Sequence, residues 1–260
     1  MIGYEVSERR ACRIVGLSRT VRRYQKRPRN DDDVIEVLQQ LAERHPLWGF
    51  GKMYDWIRNE GYEWNRKRVY RVYCALNLNL RITKRKRLPT RHPVPLEDAT
   101  VMNHSWSMDF MSDALQDGRT IRTLNIIDDF NREALAIEVD TSLPAARVIR
   151  VLERLADFRG YPARIRVDNG PEFTSSLLRF WAEQHDVHLA FIQPGRPMQN
   201  AYIERFNRTY REEVLNYYVF HRLSEVRAIT QNWITTYNEE RPHDALGGLT
   251  PAAYAKAKQL

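Results

Sequence analysis

Apolar and polar residues alternate along residues 104–111, near the middle of the chain. Trp106, Met108 and Phe110 are spaced two residues apart, and the positions between them are polar or acidic, including Asp109. A period of two is typical of a strand that buries one face. The pattern therefore predicts a first β-strand at residues 104–111, with Asp109 on its polar face.

After this strand, short apolar runs alternate with amphipathic segments. The short runs predict four more strands, and the amphipathic segments predict helices. The predicted strands cover residues 120–130, 134–140, 164–168 and 187–192, and the predicted helices cover residues 144–159, 175–185 and 200–216. Three strands in a meander followed by alternating helices and strands predict an α/β domain, with a mixed five-stranded sheet and flanking helices.

The first 30 residues have a different pattern, which predicts two short helices separated at Gly16. Ser7 and Ser18 precede the two helices and are typical N-cap residues. Such an outline fits a fragment of a helix-turn-helix motif in residues 1–30, and it equally fits an ordinary helical hairpin.

Residues 31–81 predict a second helical unit, of three helices. Apolar residues recur at helical spacing, and Asn65 precedes the third helix as an N-cap. The outer face of this third helix is basic, which predicts a three-helix DNA-binding domain; a solvated basic surface is the alternative. The basic residues of this face are Arg66, Lys67, Arg68 and Arg71.

Residues 82–96 predict a linker between this domain and residues 97–260, which would form the catalytic core with a C-terminal helical extension. Spaced prolines and a run of four cations are typical of an extended, exposed segment. These cations could follow a DNA backbone. They are Lys84, Arg85, Lys86 and Arg87.

The charge of the chain is unevenly distributed along its 260 residues, although its formal net value is +8. Residues 1–95 contain 22 Lys and Arg against 10 Asp and Glu, whereas residues 96–260 contain 19 against 23. A strongly basic front half is typical of nucleic-acid binding. The back half holds the carboxylates that a chemical step would need.

Composition also excludes several classes of protein. No apolar run approaches the roughly 18 residues that span a bilayer, and the first residues lack the pattern of a secretory signal. The two cysteines, Cys12 and Cys74, are far apart and form no CxxC pair, which argues against a disulfide framework and a cysteine zinc site. We therefore expect a reduced cytoplasmic protein with no membrane partner.

Three carboxylates lie where the predicted core would bring them together. Asp109 is inside the first strand, Asp168 ends the fourth, and Glu204 is one turn into the last helix, with 35 residues between the second and third acids. Strand ends and helix N-termini commonly form sites in α/β domains. Carboxylates from separate elements can hold two divalent ions, which stabilise the anionic centre of phosphodiester attack.

The helix of Glu204 has one apolar and one polar face. Ile203, Phe206, Tyr210, Val214 and Tyr217 form a predicted apolar stripe. The adjacent polar face suits a metal bound beside a phosphate chain, and it carries Asn200, Glu204, Asn207, Arg208 and Arg211. Of these, Asn200, Arg208 and Arg211 are predicted to contact DNA.

In these segments the sequence resembles the OrfB-type transposases of copy-out–paste-in bacterial insertion sequences, within the DDE transposase and retroviral-integrase superfamily. The resemblance covers nearly the whole chain and rests on several motifs together. The matching motifs are Trp106–Phe110, Ile127–Glu133, Asp168–Phe173, Asn200–Asn207, Tyr237-Asn238, Arg241-Pro242-His243, Leu246 and Thr250-Pro251.

The resemblance implies a ribonuclease H-like core in which Asp109, Asp168 and Glu204 hold two Mg²⁺ ions, with Mn²⁺ as a substitute. It implies 3′-end cleavage and strand transfer on double-stranded DNA without a covalent protein–DNA intermediate. Arg211 matches a basic DNA-contacting position. The resemblance also implies that the protein self-associates on DNA, that an upstream OrfA product is a partner, and that the protein associates with the nucleoid.

Several residues have competing interpretations. Asp128 and Asp129 are expected to close a strand rather than bind metal, and Glu172 is expected to have a positioning role rather than to bind metal. Leu177, Phe180 and Trp181 at helical spacing are predicted to be core residues. A catalytically inactive DNA-binding regulator or remnant of such an element is the alternative function, and the presence of all three acids favours the enzyme.

Overall fold

The computed structural model of the chain describes residues 6–25, 30–80, 99–193 and 200–258. The first described segment is a helical hairpin, capped as predicted. Ser7 Oγ and Ser18 Oγ each accept a backbone N–H at a helix N-terminus, and Gly16 adopts the left-handed region with φ 71°. The helices are α1 (Glu8–Val15) and α2 (Arg19–Arg23).

The second helical unit has the three predicted helices around its own core. Asn65 Oδ1 accepts the N–H of Lys67 and caps the third helix. The unit's helices are α3 (Asp32–Arg44), α4 (Phe50–Asn59) and α5 (Arg66–Ala75). Their inward faces bury apolar side chains that include Val34, Leu38, Leu41, Trp48, Met53, Ile57, Val69 and Val72.

A mixed sheet of five strands forms the centre of the rest of the molecule, in the order β3-β2-β1-β4-β5. β1 pairs with β2 in antiparallel orientation and with β4 in parallel orientation. The strands are β1 (Ser105–Ala114), β2 (Thr120–Asp128), β3 (Ala134–Asp140), β4 (Arg164–Val167) and β5 (His188–Phe191). β1 and β4 are therefore neighbours, which brings the segments of Asp109 and Asp168 together.

Helices cover both faces of this sheet. α6 and α7 pack against one face, on a core that includes Trp106, Met108 and Val167. α8 and α9 pack against the other, on a core that includes Met111 and Ile127. The helices are α6 (Ala145–Arg159), α7 (Ser176–Gln184), α8 (Ala201–Tyr210) and α9 (Leu223–Glu239). The α/β class and the mixed five-stranded sheet with flanking helices are confirmed.

The predicted long helix at 200–216 is not uniform, because α8 continues into a π-helical turn at Arg211–Leu215. A π-turn adds a residue to the repeat and rotates the helical faces of the residues beyond it. The predicted apolar stripe holds as far as Val214, but Tyr217 is 52% exposed. The prediction for Tyr217 was wrong because the helical turns end at Leu215 and Tyr217 lies in the turn that follows.

The prediction for α7 was also partly wrong. Trp181 is buried, whereas Leu177 and Phe180 are exposed. α7 turns one stripe toward the sheet, through Leu178, Trp181 and Ala182, and Leu177 and Phe180 lie outside it.

The C-terminal segment joins the helical front to the core. Arg241 donates to Glu213 Oε1 at 3.0 and 3.1 Å, which fastens the segment to the π-turn. Asn59 Nδ2 of α4 donates to the Gly248 carbonyl at 2.9 Å. The segment contains a short 3-10 turn (Asp244–Leu246) and ends with α10 (Pro251–Lys258). In the described parts of the chain, no helix combines the length and apolar character needed to cross a bilayer.

Candidate active site and nucleic-acid interface

Asp109 lies in the middle of β1, on the side of the sheet that α8 covers. Its Oδ1 accepts the N–H of Phe110 at 2.8 Å, and its Oδ2 accepts Asn207 Nδ2 at 2.7 Å. Asn207 is itself held, because its Oδ1 accepts Asn125 Nδ2 at 2.7 Å. A chain of two buried amides therefore orients the carboxylate of Asp109 from α8 and β2.

Asp168 follows β4 directly and begins a tight turn. The N–H of Gly170 donates to Asp168 Oδ1 at 2.9 Å. A side chain on residue 170 would place its Cβ 3.0 Å from the same oxygen, so the turn needs a glycine for close approach. On the other side, Asn169 Nδ2 donates to the Ile192 carbonyl beyond β5 at 3.0 Å.

Glu204 lies in the first turn of α8, and its side chain is exposed. Asn207 is one turn further along the same helix and points to Asp109. The residue that orients Asp109 and the third acid are therefore on one rigid element, about one helical turn apart.

The three acids share one electrostatic neighbourhood. The pKa of the Asp109 carboxyl is raised from 3.8 to about 6, and burial is the largest cause. The negative charges of Asp168 and Glu204 contribute to this rise, while hydrogen bonds from Phe110 and Asn207 oppose it. The charged form of Asp109 is thus disfavoured in the metal-free protein, and a bound cation would relieve this.

The donor set fits a hard divalent cation in its chemistry, because it consists of carboxylate oxygens. Within the described ranges, no group of three or more His, Cys, Asp or Glu side chains is close enough to hold a metal ion. The assignment of Asp109, Asp168 and Glu204 as metal ligands stays a prediction.

The other acids near the site have structural partners, as expected. The buried Asp129 accepts hydrogen bonds from Ser105 and Ser107, at 2.8 and 2.5 Å. Asp128 accepts the N–H groups of Asn103 and Phe130. These bonds close the end of β2.

The basic face of α5 is divided in the structure. Arg68 and Arg71 both pair with Asp31 at the start of α3, at 3.0 and 2.8 Å. Arg66 lies over the Phe50 and Tyr54 rings at 5.7 Å from each centroid, and Lys67 is exposed. The predicted DNA-contacting residues on this helix therefore separate into a pair that fastens α5 to α3 and a pair at the surface.

The predicted cations of α8 are divided in the same way. Arg208 is exposed, whereas Arg211 donates to Asp113 at 3.2 Å and to the Ser112 carbonyl at 2.9 Å. Asn200 is 3% exposed, so its side chain is not at the surface and the predicted DNA contact is not supported there. The linker cations Lys84, Arg85, Lys86 and Arg87 lie outside the described residues.

Sequence reasoning missed two residues that support the site. Asn125 was not singled out, because its contact with α8 depends on how the helix packs on β2. Arg122 was missed for a similar reason: it reaches the Asp168 turn across the sheet, donating to Glu172 Oε1 at 2.5 Å. A polar residue inside the otherwise apolar β2 was the available signal for Asn125.

Two families match the chain in consecutive segments. The Integrase core domain family matches residues 99–197 and again residues 185–251. The HTH-like domain family matches residues 29–87. These ranges agree with the α/β core and with the three-helix unit.

Relatives match along most of the chain. It is 42% identical over 253 residues to the insertion element IS407 uncharacterized 31.7 kDa protein of Burkholderia multivorans, covering 96% of this chain and 91% of that protein. It is 40% identical over 251 residues to the insertion element IS476 uncharacterized 39.2 kDa protein of Xanthomonas euvesicatoria, covering 96% and 72%. The putative transposase InsK for insertion sequence element IS150 of Escherichia coli is 24% identical over 243 residues, covering 86% and 84%.

Among solved structures, the HTLV-2 integrase catalytic core domain in complex with magnesium aligns with a TM-score of 0.49 and 17% identity, over 60% of this chain and 98% of that chain. An HTH-like domain precedes the integrase core, and homology to the IS407 protein extends over nearly the whole length. The chain therefore belongs to the OrfB-type transposases of bacterial insertion sequences, a family of the DDE transposase and integrase superfamily that acts in DNA transposition.

Proposed function

We propose that this protein is a DNA strand transferase that cleaves at DNA 3′ ends and joins them to target DNA, with Asp109, Asp168 and Glu204 as its catalytic and metal-binding residues. The observation that carries the proposal is the arrangement of the acids: Asn207 of α8 donates to Asp109 Oδ2 one turn from Glu204, and the charges of Asp168 and Glu204 both act on Asp109. The three acids come from a strand, a turn and a helix, and the charges of two of them disfavour the charged form of the third. Such a group of acids is typical of a cation-dependent site.

Each side chain has a task that follows from its contacts. Asn207, backed by Asn125, keeps Asp109 Oδ2 at a constant orientation, and the Gly170 N–H does the same for Asp168 Oδ1. Two divalent ions, Mg²⁺ or Mn²⁺, would stabilise the entering and leaving oxygens of the phosphodiester when bound. Water would attack phosphorus and displace the 3′-oxygen of the cleaved end. The freed 3′-hydroxyl would then attack a target phosphodiester and displace the target strand's 3′-oxygen.

The same proposal assigns the DNA-binding role to exposed cations. Arg208 lies one turn beyond Glu204 on α8, and Arg66 and Lys67 lie at the outer face of α5. Exposed cations of this kind are available to contact phosphates. Lys84, Arg85, Lys86 and Arg87 would add contacts along the DNA backbone, and a second copy and an upstream OrfA product remain the proposed partners.

A cleavage and joining assay on linear duplex ends tests the proposal. With Mg²⁺ or Mn²⁺, Asp168→Asn is expected to abolish joining while duplex binding persists. Asp157→Asn is the matched control, since it makes the same chemical change on the exposed side of α6. The assay is run with and without the OrfA product.

Two outcomes would contradict the proposal. Joining by Asp168→Asn at the wild-type rate would remove this acid from the site. Duplex binding by the wild type without joining under any of these conditions would instead favour the inactive DNA-binding regulator.

A further inference from the structure

A cluster of two aromatic rings and one ion pair lies behind the candidate site, on the side of the sheet opposite the Asp109 carboxylate. Arg122 Nη1 contacts Glu172 Oε1 at 2.5 Å. The Arg122 guanidinium lies over the Phe110 ring, 4.4 Å from its centroid. Phe110 in turn stacks on Phe173, with centroids 4.8 Å apart and planes inclined by 20°.

This cluster joins the two segments that carry the first two acids. Phe110 is the residue after Asp109 on β1. Glu172 and Phe173 end the turn that begins at Asp168. The ring stack and the ion pair therefore connect the strand of one acid with the turn of the other, through Arg122 of β2.

We propose that Arg122 and Glu172 are positioning residues: their ion pair fastens the Asp168 turn against β1 and β2 and so sets the separation of Asp168 from Asp109. The inference rests on the proposed function for its consequence in catalysis. Neither residue touches the reacting atoms. They act on Asp168 indirectly, because Glu172 is four residues after Asp168 and its ion pair holds the backbone of the same turn.

The ion pair is well placed for this role. The side chains of Arg122 and Glu172 are 29% and 17% exposed, so water screens the pair less than it screens a surface pair. Burial alone would raise the pKa of the Glu172 carboxyl, but the hydrogen bond and the charge of Arg122 outweigh it and the pKa lies below its usual value. Glu172 is therefore charged and held by Arg122.

The turn has no comparable anchor on this side among the described residues. Asn169 ties its opposite edge to Ile192, next to β5. With Glu172 released, the apolar packing of the buried Phe173 against Phe110 and the core would hold the turn to β1. Apolar packing is non-directional, whereas a charged hydrogen bond fixes a distance and a direction.

The test compares four full-length proteins: wild type, Glu172→Gln, the charge-swapped double variant Arg122→Glu with Glu172→Arg, and Glu138→Gln. Glu138 pairs with Arg147 at 2.7 Å at similar exposure on β3, remote from the three acids, so its variant controls for the loss of a half-buried ion pair. Two quantities are measured: the Mn²⁺ concentration that gives half of the metal-dependent rise in melting temperature, and the Mn²⁺ dependence of end joining.

We expect Glu172→Gln to raise the half-saturating Mn²⁺ concentration about tenfold and to slow joining by a similar factor. The double variant should recover most of both losses. Glu138→Gln should lower the melting temperature and leave the Mn²⁺ midpoint at the wild-type value.

A wild-type Mn²⁺ midpoint in Glu172→Gln would overturn the positioning role, and so would a double variant that is no better than the single one. Failure of the proposed function looks different, because it would appear as absent joining in the wild type itself. The melting-temperature series would still report in that case whether the ion pair controls metal binding.

Discussion

Like charges are gathered in two regions of this molecule, the basic face of α5 and the three acids of the core. The two regions differ in whether the charges have partners. On α5, two of the four basic side chains pair with Asp31, which offsets their charge within the domain. In the core, burial raises the pKa of Asp109 and the charges of Asp168 and Glu204 add to the rise, while a backbone N–H and an amide side chain orient the Asp168 and Asp109 carboxylates.

The contrast separates structural charges from candidate functional ones. A charge with a partner inside the protein contributes to holding elements together, as Arg71 holds α5 to α3. A charge whose ionised form the fold disfavours is retained at a cost in stability, and function is the usual reason. Neutralising a charge of each kind should therefore have opposite effects on stability.

The largest effect is expected at Asp109. Asp109→Asn should reduce metal-dependent joining by about 1000-fold or more, because a ligand and its charge are lost. The folded-state pKa lies above the unfolded value, so at pH 7 the charged group disfavours folding. Removing that charge should therefore raise the metal-free stability by up to about 3 kcal/mol in urea unfolding.

Asp113→Asn is the paired control for that experiment. Asp113 accepts Arg211 at 3.2 Å, so its charge has a partner and its neutralisation should lower stability while joining persists. The distinction between the two kinds of charge would be contradicted if Asp109→Asn lowered the free energy of unfolding, or if both variants changed it in the same direction.

The second effect concerns two buried histidines where the helical front meets the C-terminal segment. Burial lowers the pKa of His45 to about 4 and that of His243 to about 3, and nearby Arg241 lowers both further. The unfolded chain takes up protons near pH 6.5 while the folded protein does not. Stability should therefore fall as pH drops from about 6.5 toward 4, by about 2 kcal/mol for each group at pH 5.

His243→Gln tests this by urea unfolding at pH 7 and pH 5. The variant should lose less stability than the wild type over that interval, and the comparison cancels the titration of all other groups. An unchanged difference between the two pH values would show that His243 does not stay neutral in the folded protein.

A smaller effect is expected at Asp31. Asp31→Asn removes the charge shared by Arg68 and Arg71, and the melting temperature should fall by a few degrees. Duplex affinity should not fall, because the two released guanidinium groups become available to phosphate. A variant with weaker DNA binding and unchanged melting temperature would reverse the assignment of Arg68 and Arg71.

The smallest effect on the fold is expected at Lys67. Lys67→Ala should leave the melting temperature unchanged, weaken duplex binding to all sequences alike, and lower the salt slope of the affinity by about one. Gel-shift titrations at several salt concentrations measure this slope. Lys67→Ala binding with the wild-type slope would place the DNA elsewhere than on this face of α5.

Sequence periodicity was sufficient for most of the elements. Alternation predicted β1, and the capping residues Ser7, Ser18 and Asn65 cap the predicted helices. Local rules work here because caps and faces depend on neighbours within a turn or two. They failed at Tyr217, which lies beyond the end of the helical turns at Leu215, and at Phe180, which lies beside the buried stripe.

The chain by itself also determined which acids are candidates, through their spacing and surrounding motifs. Only the tertiary structure decided which charges have partners. The contacts of Asp31 with Arg71, of Asn207 with Asp109 and of Arg122 with Glu172 join residues 40, 98 and 50 positions apart. Electrostatic compensation depends on distance in space, and no pattern along the sequence encodes it.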